Sequence, residues 1–218
     1  IMDEKEGPIL VDQSFTQQCL DEMNITHTVK EHPLEMLARI GVKPEDVRHV
    51  ILSHLHWDHY AGDTFYPNAR YYVHQKEIEY VTGPLMRFHT YAQHYNFKAI
   101  ENLLHMQFSG RVELLQGDSE PLCDGITCIR MGGHTPGLLS IAVETGRNTK
   151  IICSDVIPRY QNISEMTPCG IHYNVTEALM ALEKIKSIAK STENILPGHD
   201  PEITARYPQT APGVYRVS

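Results

Sequence analysis

The chain has 218 residues and carries 19 Lys plus Arg against 27 Asp plus Glu, a formal net charge of −8. That acidity argues against a general polyanion binder, because nucleic-acid binding rests on neutralising phosphates with a basic face. An apolar fraction of about 47% with glycine counted excludes a disordered chain and provides the core of one domain spanning 1–218.

In chain order, short apolar runs rich in Val, Ile and Tyr alternate with turn signals and read as strands. They are "PILVD" ending at Asp12, "VRHVILSH" ending at His54, "ARYYVH" ending at His74, "ITCIRMGGH" ending at His134, "LLSIAVET" from Leu138 to Thr145, and "KIICSD" ending at Asp155. Between the first two, Leu34, Leu37 and Ala38 follow Pro33 at helical spacing, with Gly41 placed as a C-cap. Residues 83–110, rich in aromatics and His, are expected to be helical, either a structural helix or a lid over a pocket. The clearest helix runs from Asn174 to Ser191, where Val175, Ala178, Leu179, Leu182, Ile185 and Ile188 form one stripe and Lys residues gather toward the C-terminal end. Strands alternating with helices predict an α/β fold.

The five cysteines contain no C-x-x-C pair, which fits reduced thiols in a cytoplasmic setting; Cys153 is expected in a core strand. No apolar run approaches the roughly 18 to 20 residues of a membrane span. The start, "IMDEKEGPILVD", lacks the basic-then-apolar order of a signal peptide.

The stretch "SHLHWDHYAG" concentrates chemistry. His54 and His56, two apart, project from one face of an extended strand end, and the adjacent Asp58 and His59 require the chain to turn. Gly62 lets the backbone bend close to this point. Three later ligand-type residues also sit in tight turns: His134 in "GGHTPG", Asp155 in "ICSD" and His199 in "LPGHD". Five imidazoles and two carboxylates are the donors that bind zinc, iron or manganese, and one carboxylate can bridge two ions.

The order H-x-H-x-D-H, G-H-T-P-G, S-D, P-G-H-D resembles the metallo-β-lactamase-fold hydrolases over nearly the whole chain. The resemblance implies an αββα sandwich in which His54, His56 and His134 hold one ion, Asp58, His59 and His199 hold a second, and Asp155 bridges them. Members usually have one or two strands before the stretch matching "PILVDQSF", so an N-terminal segment is expected to be missing from this chain. "HLHWDHYAG", "YYVHQKE", "SDVIPRYQN" and "PCGIHYNVTEALMALEKIK" followed by "LPGHDPEI" are similar to segments of the N-acyl homoserine lactonase-like group in the same order. Lactonases of this kind have a Tyr three residues after the bridging Asp; here that position is Pro158, and Tyr160 is the candidate replacement.

By this resemblance the chain is expected to open a lactone by attack of a metal-bound hydroxide, with two divalent ions, zinc first and iron or manganese as alternatives. Asp58, beside the water, is the candidate proton shuttle, and Asp200 the candidate to orient a ligand. His172 and Tyr173 are candidates for the pocket mouth, His74 is expected to hold a strand end, and Trp57 to pack. The expected partner is a small ester or lactone, with neither nucleic acid nor membrane, and a homodimer stays open. The alternatives are a thioesterase of the glyoxalase II type, weakened by a C-terminal segment whose only basic residues are Arg206 and Arg216, and a non-hydrolytic metal-binding scaffold of the same fold.

Overall fold

The computed structural model describes residues 1–62 and 65–217. They pack as two compact units, Ile1–Leu114 with Thr210–Val214, and Leu115–Gln209 with the C-terminal residues from Tyr215.

The first unit runs β1 (Met2–Asp3), β2 (Gly7–Val11), α1 (Gln17–Glu22), α2 (Pro33–Ala38), β3 (His49–Ile51), β4 (Arg70–His74), α3 (Gln75–Val81), α4 (His89–Ala92), α5 (Phe97–Phe108) and β5 (Val112–Leu115). Its sheet has the order β1-β2-β3-β4-β5. β2, β3 and β4 are parallel, with Val11 opposite Ile51 and Ile51 opposite Tyr72. Parallel strands present their carboxyl ends at one edge, so Asp12, the segment from Leu52 and the His74 corner all leave the sheet on the same side. Such an edge is where α/β proteins build sites.

Helix α5 forms because Asn96 caps it, its side-chain oxygen accepting from the Ala99 N–H, and because Ala99, Ile100, Leu103 and Met106 make one buried stripe. That stripe packs in a core with Val50, Leu52, Tyr71 and Val73. The expected helix over 83–110 is thus interrupted: a 3₁₀ turn at Pro84–Arg87 and α4 precede α5. Pro84 lacks an N–H and cannot continue α3, so the chain restarts instead.

The second unit runs β6 (Ser119–Cys123), β7 (Ile126–Arg130), β8 (Leu139–Glu144), β9 (Thr149–Ser154), α6 (Tyr160–Ser164), α7 (Val175–Ala189), β10 (Ile195–Pro197) and α8 (Ile203–Arg206); β11 (Gln209–Ala211) pairs with β12 (Val214–Tyr215) near the C-terminus. The sheet order is β10-β9-β8-β7-β6, antiparallel except for β9 and β10. Asn174 caps α7 by accepting the N–H groups of Thr176 and Glu177. The buried Ala181, Leu182, Ile185 and Ala189 lie in a core with Ile151 and Cys153 of β9, which bears out the place of Cys153. Of the expected stripe, Ala178, Leu182 and Ile185 are buried, whereas Val175 and Leu179 are exposed, because the buried face is turned toward Ala181 and Ala189.

The expected α/β class holds, with two differences at the strand ends. The strands expected to reach His54 and His134 stop at Ile51 and Arg130. In both cases the ligand-type residue follows in a turn, beyond the last ladder position. The strands β5, β6 and β10 had no clear alternation in sequence; β10 is a three-residue run ending in Pro197 and is held by its parallel neighbour. No helix among the described residues is long and apolar enough to cross a membrane.

Candidate metal centre

In the first unit, the motif after β3 is shaped by a tight turn. The N–H groups of His59 and Tyr60 both donate to the His56 carbonyl, and the Gln13 N–H donates to the His59 carbonyl, drawing the loop back toward the end of β2. The turn expected at Asp58 and His59 is therefore present. The buried Glu77 of α3 accepts the Leu55 N–H at 3.3 Å and holds the strand exit from the other side. Gly62 lies at φ +79, and a Cβ there would fall 2.4 Å from the Ala99 Cα. Its freedom serves a close approach to α5.

The imidazoles are oriented through their Nδ1 atoms. Asp12, at the end of β2, accepts from the Ser53 N–H at 2.7 Å, from Ser53 Oγ at 2.8 Å and from His59 Nδ1 at 2.7 Å. With its proton given to Asp12, Ser53 Oγ accepts from His54 Nδ1 at 3.1 Å. Both rings thus carry the proton on Nδ1 and present the lone pair of Nε2, the tautomer a divalent ion requires. The rings cluster: His54 lies 4.6 Å from His56 and 4.1 Å from His59 between centroids. Asp58 Oδ2 stands 3.7 Å from His59 Nε2. His94 and Tyr95 pack on His56, at 5.1 and 4.9 Å between centroids. Burial lowers the His94 pKa, which the Asp58 charge partly offsets.

In the second unit, the turn after β7 needs its glycines. Gly133 has φ +84, and a Cβ there would come within 2.4 Å of the Ala178 Cα in α7. The buried His134 that follows gives its Nδ1 proton to the Ile171 carbonyl at 2.7 Å, again turning Nε2 outward. Asp155 leaves the end of β9. One of its oxygens lies 3.3 Å from His134 Nε2 and the other 2.9 Å from His199 Nε2. A carboxylate whose two oxygens approach two different imidazoles has the form of a bridging ligand. His134, Asp155 and Cys169 offer donor atoms all within 4.8 Å of one another.

The donor sets suit divalent ions: His54, His59 and His134 are fixed through Nδ1, and carboxylates stand beside the Nε2 atoms of His59, His134 and His199. Several sequence expectations meet different environments. Tyr160 is buried in the core of its unit, donates its hydroxyl to the Ile195 carbonyl at 3.1 Å and is stacked under Arg206 at 3.7 Å. A phenol so engaged does not fit a substrate contact, because the chain after Asp155 turns it inward into α6. Asp200 accepts the Tyr160 N–H at 2.8 Å and the Glu202 N–H at 2.9 Å, and so caps α6 rather than orienting a ligand. Burial pushes its carboxyl up, but those two N–H bonds hold it below its ordinary value. His172 is exposed, with Nδ1 3.0 Å from the Cys169 carbonyl. His74 holds its strand end as expected, its Nδ1 accepting the Lys76 N–H that opens α3, and Trp57 packs edge-on against Phe15.

Sequence reasoning missed the anchors: Asp12, Ser53, Glu77 and the Ile171 carbonyl. The one available signal was Asp12 at the end of an apolar strand. The fold and these donors agree with the comparisons. The family model for the metallo-beta-lactamase superfamily matches residues 6–199. This chain belongs to that superfamily. It is 25% identical to N-acyl homoserine lactonase AiiA of Bacillus thuringiensis subsp. kurstaki over 216 residues, covering 93% of this chain and 80% of that protein. Among solved structures it is similar to an N-acyl homoserine lactone hydrolase with the product N-hexanoyl-L-homoserine bound at the catalytic metal center, at a TM-score of 0.76 and 23% identity, covering 97% of this chain and 83% of the other. It also matches AidC, a dizinc quorum-quenching lactonase, at a TM-score of 0.69 and 18% identity, covering 91% and 70% of the two chains.

Proposed function

We propose that this superfamily member opens the ring of N-acyl homoserine lactones at a dinuclear centre. The chain is a metal-dependent hydrolase acting on ester bonds. The reading assigns His54, His56 and His134 to one ion, Asp58, His59 and His199 to the other, Asp155 to both, and zinc as the metal. The observation that carries it is the Asp155 carboxylate, whose two oxygens approach the Nε2 atoms of two different imidazoles.

Two divalent ions, when bound, supply Lewis acidity and water acidification at neutral pH. The protein's own part is to fix donors and move a proton. Asp12 holds His59 directly and His54 through Ser53, so neither ring rotates as charge develops during the reaction. Asp58, half-buried and beside His59 Nε2, is the side chain that carries a proton to the alkoxide leaving when the ester C–O bond breaks. No protein nucleophile is required, and the ring-opened product is a hydroxy acid.

An acyl chain also has a candidate place. A cavity of about 610 Å³ between α3, α4 and α5 is lined by Val81, Met86, Ala92, Tyr95, Leu104 and Phe108, within the size range of small-molecule sites. Tyr95 is shared, its ring lying against His56. The test is ring opening followed by proton release for homoserine lactones of increasing acyl length, beside an acyl thioester series. Turnover of the lactones, rising with chain length, is expected. Inert lactones with thioester turnover would overturn the substrate and favour the glyoxalase II type of chemistry.

A further inference from the structure

The second unit brings a cysteine to the same place as two of its metal-binding groups. The donor atoms of His134, Asp155 and Cys169 are mutually within 4.8 Å. With zinc–nitrogen and zinc–sulfur bonds of about 2.0–2.1 and 2.3 Å in tetrahedral geometry, two donors of one ion stand about 3.6 Å apart. A shift of the sulfur by at most about an ångström, within reach of a rotation about the Cys169 Cα–Cβ bond, brings all three onto one ion. The three donors line one narrow cleft together with Gly132 and His172.

The loop that carries Cys169 is held against the His134 turn. The Tyr173 N–H donates to the carbonyls of Gly133 at 2.8 Å and His134 at 3.0 Å, and the Asn174 N–H to Gly133 at 2.9 Å. The His134 Nδ1–H donates back to Ile171. His172 Nδ1 lies 3.0 Å from the Cys169 carbonyl, fixing the backbone at the cysteine itself. The sulfur is thus positioned by the same bonds that set the His134 tautomer.

We infer that Cys169 supplies a thiolate ligand to the ion held by His134 and Asp155. The inference rests on the metal reading above and adds a soft donor to an otherwise nitrogen and oxygen set. On binding, the S–H bond breaks, a sulfur–metal bond forms and the proton leaves to solvent. A thiolate favours zinc over manganese or magnesium, so it selects the metal as well as holding it.

The test is the absorption spectrum of the full-length protein reconstituted with cobalt(II). A sulfur-to-cobalt charge-transfer band in the near ultraviolet is expected in the wild type, lost in Cys169→Ser and kept in Cys123→Ser. Cys169→Ser is also expected to shift metal retention from zinc toward manganese. Stoichiometric cobalt without a sulfur band, or a band that survives Cys169→Ser, would overturn the thiolate and leave the metal reading standing. Failure to bind cobalt at all would overturn both. A second measurement needs no variant: alkylation of Cys169 by iodoacetamide is expected to be blocked in the metal-loaded protein and released by chelation. Equal labelling in the two states would contradict the inference.

Discussion

At the scale of single residues, the ligand types were legible because H-x-H-x-D-H, G-H and G-H-D crowd donors at turns, where little else explains them. Their orientation was not legible. Asp12 reaches Ser53 and His59 across 41 and 47 residues of chain, and no local pattern announces such a bond. Asp12→Asn keeps the shape and weakens the acceptor, so metal affinity is expected to fall about 10- to 100-fold, read by competition with a chromophoric chelator. An unchanged affinity would mean that the rings are held by other contacts. For Tyr160 the limit is a different one: counting from Asp155 says nothing of direction, and the helix that begins at Tyr160 turns the ring into the core. Tyr160→Phe is expected to lose about 1 kcal/mol of stability, the worth of one buried hydrogen bond, with kcat and KM unchanged. A raised KM would restore its place in the substrate pocket.

At the scale of elements, α7 and the longer strands could be read from their periodicity, and their ends could not. β3 and β7 end before His54 and His134 because the chain there enters turns, closed by the His59 and Tyr60 N–H groups on the His56 carbonyl and by the His134 N–H on the Gly132 carbonyl. α1 and α5 illustrate what sequence periodicity cannot join. Glu22 at the end of α1 accepts from the Asn96 side chain at 3.0 Å, from Lys98 at 2.9 Å and from Gln18 at 3.0 Å. These bonds hold its carboxyl down at about 2, the Asn96 bond contributing most. A carboxyl lowered in the folded state stabilises the protein above its unfolded value and stops doing so as the pH falls through the folded one. The stability difference between wild type and Glu22→Gln is therefore expected to shrink from about pH 5 to about pH 2, followed by urea midpoints. A constant difference across that window would show that the tether does not depend on the charge.

At the scale of the whole molecule, composition constrained the class, and the motif order carried the family. The family model spans residues 6–199, and a relative at 25% identity covers 93% of the chain. Substrate choice was the least legible property. The cavity proposed for an acyl chain is walled by residues such as Met86, Leu104 and Phe108, whose spacing looks the same whether a helix lines a pocket or fills a core. The most direct test is the metal content of the purified protein measured together with ring opening, through chelation and re-addition of zinc. About two ions per chain are expected, with ring opening lost on chelation and recovered as the ions return. Full ring opening by protein stripped of metal, or a chain that takes up no metal, would contradict the account.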